Sequence, residues 1–281
     1  MRIFILVLSS GINKTNYCLL LFFLLCFQAM RADNLYALIS RSQQLPDDTA
    51  KVNTQLAIID LYILHGKYDS ATAMIGTTMQ LAAKLKDVHG TASALCCRGI
   101  ILYNQSRYDN SIASLDSANR MFVSIADAAG EIKTINNKAK ALGALDNYPE
   151  ALKLLASSEQ KALAVNDKKG LAHSYYLKGS ILNDRGEYVD AGSCLQKSLD
   201  LRMEIGDTAG IAASYSFLGL NYSYLGDYSK ALDCIQKSIM IREKINDKRG
   251  LANSFLSQYK IFYVMKEWER ALESEFKSLA L

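Results

Sequence analysis

Histidine is the side chain best suited to proton transfer near neutral pH, and the chain has three: His65, His89 and His173. Catalysis or metal binding needs such groups within reach of partners, and the spacing offers none. His65 and His173 fall on helical stretches far apart in the chain, and His89 falls in a turn. No HExxH, GxSxG, P-loop or GxGxxG motif is present. The expectation is therefore no catalytic residue, no cofactor and no metal, hence no enzyme. Of the six cysteines, Cys18 and Cys26 lie near the N-terminus and four in the body. Cys194 and Cys234 stand one repeat apart at equivalent positions, which in stacked helices means about 10 Å and so too far for a disulfide. Adjacent Cys96 and Cys97 point to different sides of a helix. Without paired zinc-ligand spacing, these four read as small buried side chains. Two matches to glycosylation acceptors, at Asn104 and Asn221, fall in or at the end of predicted helices and read as chance.

The elements that would carry any site are set by a repeat of 40 residues. Gly90, Gly130, Gly170, Gly210 and Gly250 keep this step. Three residues before each stands an aspartate: Asp87, Asp127, Asp167, Asp207 and Asp247, with Asp47 extending the series backwards. Tyr68, Tyr108, Tyr148, Tyr188, Tyr228 and Trp268 form an aromatic column. A small residue follows three positions later each time, from Ala71 to Ala231 and Ala271, and a second small column runs Thr78, Ala118, Ser158, Ser198, Ser238 and Ser278. Each unit reads as two helices. Tyr215, Gly219 and Tyr222 share one helical face, Gly226-Asp227 makes a turn, and the next helix puts Ala231, Ile235, Ser238 and Ile239 on one side. The aspartate caps orphan amides at the next helix start. The glycine and the small columns let helices approach closely, because a bulky residue there would push them apart. One pair cannot bury its apolar face alone, so the pairs must stack.

These columns resemble the tetratricopeptide repeat in its 40-residue-period form, as in exported sensor regions of bacterial signalling proteins. Tyr175, Gly179, Leu182, Tyr188, Ala191 and Ser198 match in one unit; Tyr215, Gly219, Tyr222, Tyr228, Ala231 and Ser238 match in the next. The resemblance implies an all-α, right-handed superhelical solenoid of antiparallel helix pairs, with at least ten helices in 33–281 and no strand. Units fall near 50–89, 90–129, 130–169, 170–209, 210–249 and 250–281, and residues 33–46 read as a truncated second helix ahead of them. The sequence also departs from the family pattern. The leucine before the repeat glycine is Arg98, Lys138 and Lys178 in three units, and the glycine itself is Ala139 or Tyr259 in others, so the middle units are expected to pack less tightly. The last unit is incomplete, Leu281 aligning with Ile241, and a longer protein is expected.

In tetratricopeptide proteins the first helices line a concave groove. Carried onto this sequence, that face holds Lys133, Asn136, Lys140, His173, Tyr176, Asn183, Asn253 and Lys260. Asparagine amides suit an extended backbone and lysines suit carboxylates, so the expected partner is a protein or peptide bearing acidic residues or a free carboxylate. Lys133 and Lys140 are expected to be solvated. The family's chaperone-tail clamp needs Lys and Asn where this chain has Leu56 and Asp60. The expected function is a protein- or peptide-binding scaffold; the alternative is the exported input region of a bacterial histidine kinase or transcription regulator.

Charge and composition narrow the partners further. The chain has 281 residues, is 50% hydrophobic and has two prolines, which favours long helices. Arg2, Lys14 and Arg31 are three of its 32 bases, leaving 29 against 28 acids in 33–281. A body so close to neutral offers no global attraction for nucleic acid. The apolar run Cys18–Phe27 behind Lys14 has the length of a signal-peptide core and is too short to span a bilayer. Residues 1–32 are expected to be a signal peptide or N-terminal hydrophobic segment, placing the rest on the periplasmic or extracytoplasmic side. Membrane contact is expected only there or in a part beyond residue 281.

Overall fold

The structure is a computed structural model and describes residues 35–281; the leader assigned to 1–32 lies outside them. The described residues form thirteen helices and no strand. They are α1 (35–44), α2 (Thr49–Leu64), α3 (Tyr68–Leu85), α4 (Val88–Asn104), α5 (Tyr108–Ser124), α6 (Ala128–Ala144), α7 (Tyr148–Ala164), α8 (Lys168–Asp184), α9 (Tyr188–Glu204), α10 (Thr208–Tyr224), α11 (Tyr228–Lys244), α12 (Lys248–Val264) and α13 (Trp268–Leu279). The chain divides into two compact units at Cys97/Arg98, inside α4.

In the first unit, Val52, Leu81 and Ala82 form a core with Leu56 and Leu85 against it. The cap of α2 departs from the aspartate column. Asp48, not Asp47, accepts the backbone N–H of Lys51 at 3.0 Å. Asp47 instead pairs with Lys51 and Lys84, both at 3.1 Å, and these ammonium groups hold its carboxyl below the usual range.

In the second unit the aspartate column works as expected. Asp127, Asp167, Asp207 and Asp247 accept from the backbone N–H of Gly130, Gly170, Gly210 and Gly250 at 2.9 to 3.0 Å. A Cβ on Gly170 would lie 2.5 Å from Ile132, so successive first helices touch there through the bare glycine. In three repeats the serine column ties the second helix to its own first helix. Ser198, Ser238 and Ser278 donate to the carbonyls of Ala172, Ala212 and Ala252 at 2.8 to 2.9 Å. A buried hydroxyl is tolerated because a helix carbonyl satisfies it.

Packing in the middle units is close, which corrects the expectation of looseness there. Ala139 stands fully buried among Leu142, Ala151, Leu155, Leu177 and Ile181. The lysines in the leucine position are used otherwise: Lys138 pairs with Asp116 at 2.7 Å and Lys178 with Glu159 at 3.1 Å, each reaching the preceding helix. Their stems cover apolar surface while the ammonium heads stay half-exposed.

The turns carry a period the residue types do not display. Ser106, Ala126, Asp146, Asn166, Gly186, Gly206, Gly226, Asn246 and Lys266, spaced by half a repeat, all have positive φ between 52° and 81°. Each closes a helix with the bonds of a left-handed cap, as in Asp207 N–H to the Arg202 carbonyl at 2.9 Å. Only three of these nine are glycine, so residue type alone did not reveal them.

Candidate partner-binding groove

The first helices α6, α8, α10 and α12 carry the residues singled out from sequence. Lys133 and Asn136 of α6 and His173 of α8 come together, with Asn137, Lys169 and Gly170, around a cleft of about 460 Å³. Two neighbouring repeats therefore build one concavity, which the helical spacing of Lys133 and Asn136 and the 40-residue step to His173 anticipated. Tyr176 stacks on His173 (6.1 Å, 13°) and meets the edge of Phe217 at 4.8 Å. The Arg202 guanidinium, from α9, lies 4.7 Å over the same ring. Arg202 is fixed there by Nη1 donating to the Gly210 carbonyl at 2.6 Å and to Ser214 Oγ at 3.1 Å.

Three members of the set are less accessible than expected, the asparagines as donors to a partner's backbone and Lys140 as a solvated cation. Asn136 is 1% exposed. Its Nδ2 donates to the Gly170 carbonyl at 3.2 Å and its Oδ1 accepts from Ser174 at 2.9 Å, so it braces α6 against α8. Asn183 is also buried, accepting from Asn221 Nδ2 at 2.8 Å. The Asn136 amide and the Asn183 carbonyl are spent inside the protein. Lys140 is partly buried, its ammonium 4.2 Å over the Tyr103 ring. The reason is common to all three: neighbouring repeats cover a face that one helix considered alone would present to water. Lys133, Asn253 and Lys260 are exposed.

Electrostatics follow from this crowding. His173 is sunk among protein atoms although one edge meets solvent. Burial first, then Arg202, Lys140 and Lys169, holds its pKa down to about 3. Its imidazole is therefore neutral at physiological pH, able to donate one hydrogen bond and accept another. Burial pushes Tyr176 up to about 12. Burial and then Arg249 lower Lys140. Sequence reasoning missed Lys169 and Arg249, which recur one helical turn ahead of the Lys133/His173/Asn253 register. It also missed Asp184, whose carboxyl is raised by desolvation and then by Asp146.

No group of three or more His, Cys, Asp or Glu among the described residues could hold a metal ion. The four body cysteines are buried and form no disulfide, and burial pushes the Cys234 thiol up to about 11, the inert form. Asn221 is 1% exposed, which closes that acceptor to glycosylation in the folded chain. No described helix is long and apolar enough to cross a membrane.

The architecture is an all-α solenoid of stacked antiparallel helix pairs. Residues 170–244 match the tetratricopeptide repeat family model. Among curated proteins none matches the sequence. Solved structures share the fold. A Rap protein complexed with Competence and Sporulation Factor aligns with TM-score 0.69 at 14% identity, over 89% of this chain and 79% of that one. NprR in complex with its cognate peptide NprX aligns with TM-score 0.64 at 15% identity, over 90% and 74%. A signal-transduction ATPase with a tetratricopeptide repeat sensor from Pyrococcus horikoshii aligns with TM-score 0.59 at 13% identity, over 86% and 38%.

Proposed function

We propose that this chain is a protein- or peptide-binding repeat scaffold without catalytic activity, and that the groove face of α6, α8, α10 and α12 seats a partner segment. The observation that carries this reading is the cleft built jointly by Lys133, Asn137, Lys169 and His173 from two repeats. Such a junction offers side-chain donors beside exposed aliphatic surface, which suits an extended peptide. Two of the structural relatives are complexes with a peptide or signalling factor, which agrees with this use of the fold. Residues 1–32 support the further proposal that the protein is exported, which N-terminal sequencing of the mature protein tests.

Selection from a random peptide library on the immobilised chain tests the binding reading. Ala213 stands in the same register as Lys133 and His173, and Ala213→Trp would fill the groove. Enriched peptides should bind the native chain and lose affinity for Ala213→Trp at unchanged helicity. Enriched peptides indifferent to Ala213→Trp would move the surface off this face, and the absence of any enrichment would overturn the reading.

A further inference from the structure

The groove face is charged out of proportion to the chain. Its registers begin at positions 129, 133, 136 and 140 and recur at each repeat through α12. These positions hold Lys133, Lys140, Lys169, Arg249 and Lys260 and not one Asp or Glu, although the whole chain carries a net charge of only +4. Lys140, Lys169, Arg249 and Lys260 make no hydrogen bond or ion pair among the described residues. Several bases on other faces are matched: Lys138 with Asp116 at 2.7 Å, Lys161 with Glu131 at 2.6 Å, Lys178 with Glu159 at 3.1 Å. One carboxylate lines the cleft, that of Asp167, whose Oδ1 accepts from the Gly170 N–H at 2.9 Å.

The groove cations also act on one another. Lys140, Lys169 and Arg202 press together on His173. Arg249, at the start of α12, presses on Lys140 of α6, so walls that belong to repeats far apart in sequence bring like charges together. Like charges held close attract an anion that can lie between them.

We propose that the groove of the second unit takes an acidic peptide segment, its carboxylates held between Lys169 on one wall and Arg249 on the other. Asp184 sets the direction of that segment. It makes no hydrogen bond or ion pair among the described residues, and it lies about 22 Å along α8 from Lys169 by helical rise. Carboxylates belong at the Lys169 end and are repelled at the Asp184 end, where only Lys260 offsets that charge. A peptide fits better than a nucleic acid. Single-stranded nucleic acid needs open aromatic platforms for its bases, and the Tyr176 ring is already taken by His173, Phe217 and Arg202.

The inference rests on the peptide-binding reading, and the test separates the two. Fluorescein-labelled peptides of one length, rich in Glu, in Gln or in Lys, are titrated into the full chain by fluorescence anisotropy, with a labelled oligothymidylate alongside. The Glu peptide should bind best. Lys169→Glu combined with Arg249→Glu should weaken it about tenfold or more, since two exposed ion pairs become repulsions. Raising salt from about 0.05 M to about 0.5 M should weaken it too. Lys244→Glu, at the exposed end of α11, should leave it unchanged, and Asp184→Asn should tighten it. Equal binding of the Gln peptide would overturn the charge proposal and leave the peptide-binding reading standing. Tighter, equally groove-dependent binding of the oligothymidylate would overturn the choice of a peptide. Failure of every probe to bind would overturn both.

Discussion

Protonating His173 should destabilise the fold, and the size follows from its surroundings. The imidazole is held down to about 3 by burial and by Arg202, Lys140 and Lys169, against an ordinary value near 6.5. At pH 7 neither the folded nor the unfolded chain carries this proton. As pH falls through 6.5, the unfolded chain takes it up and the folded chain refuses it, so unfolding becomes easier until the pH approaches 3. At pH 5 the difference amounts to about 2 kcal/mol. That is an upper figure, because one edge of the ring meets solvent. The perturbation is His173→Gln, which keeps a neutral polar side chain. Urea unfolding is followed for both proteins at pH 7 and pH 5, with far-ultraviolet dichroism as the probe. The native chain should lose about 1–2 kcal/mol more than the variant on acidification. The other titrating groups, Asp184 among them with its opposite sign, are common to both proteins. Since repeats can unfold piecemeal, the His173 imidazole resonance, assigned by its loss in the variant, should also show no protonation at pH 5. Equal pH dependence in the two proteins, or a His173 resonance titrating near pH 6, would refute the reasoning.

The turns offer a pair of opposite outcomes. Gly206 has φ +69° and open space where a Cβ would stand, so Gly206→Ala should cost about 1 kcal/mol from left-handed backbone strain. Ala126, at φ 54° in the equivalent turn, should gain up to about 1 kcal/mol as Ala126→Gly; chemical denaturation giving both changes the same sign would count against the cap assignment. Ala231 is fully buried beside Ile235 and Ile261, and Ala231→Leu should destabilise by about 1–3 kcal/mol through overpacking; an unchanged melting temperature would contradict that contact. Asp207→Ala removes a cap with a 3.0 Å bond to Gly210 and should cost about 1 kcal/mol, visible as faster amide exchange at the start of α10.

The sequence by itself determined the architecture. A period carried by Asp, Gly, Tyr, Ala and Ser columns is a local signal repeated many times, and each column has a reason that one helix pair supplies: a cap, a close approach, a buried hydroxyl meeting a carbonyl. Those reasons hold whatever the rest of the chain does, so α5 to α13 were legible from residue types alone. Lys133 and His173 were placed together correctly for the same reason, since the step between repeats is constant. What only the tertiary structure decided is the state of each groove side chain. Asn136 and Asn183 share the register logic of exposed residues, yet Ser174 and Asn221, one repeat further on, draw them inside. Lys140 settles over Tyr103 and feels Arg249 from three repeats away. Asp48 rather than Asp47 caps α2, and Asp47 pairs instead with Lys51 and with Lys84 on α3. Burial, pairing and charge at such positions depend on neighbours brought in by stacking, and no window of sequence as short as a helix contains those neighbours.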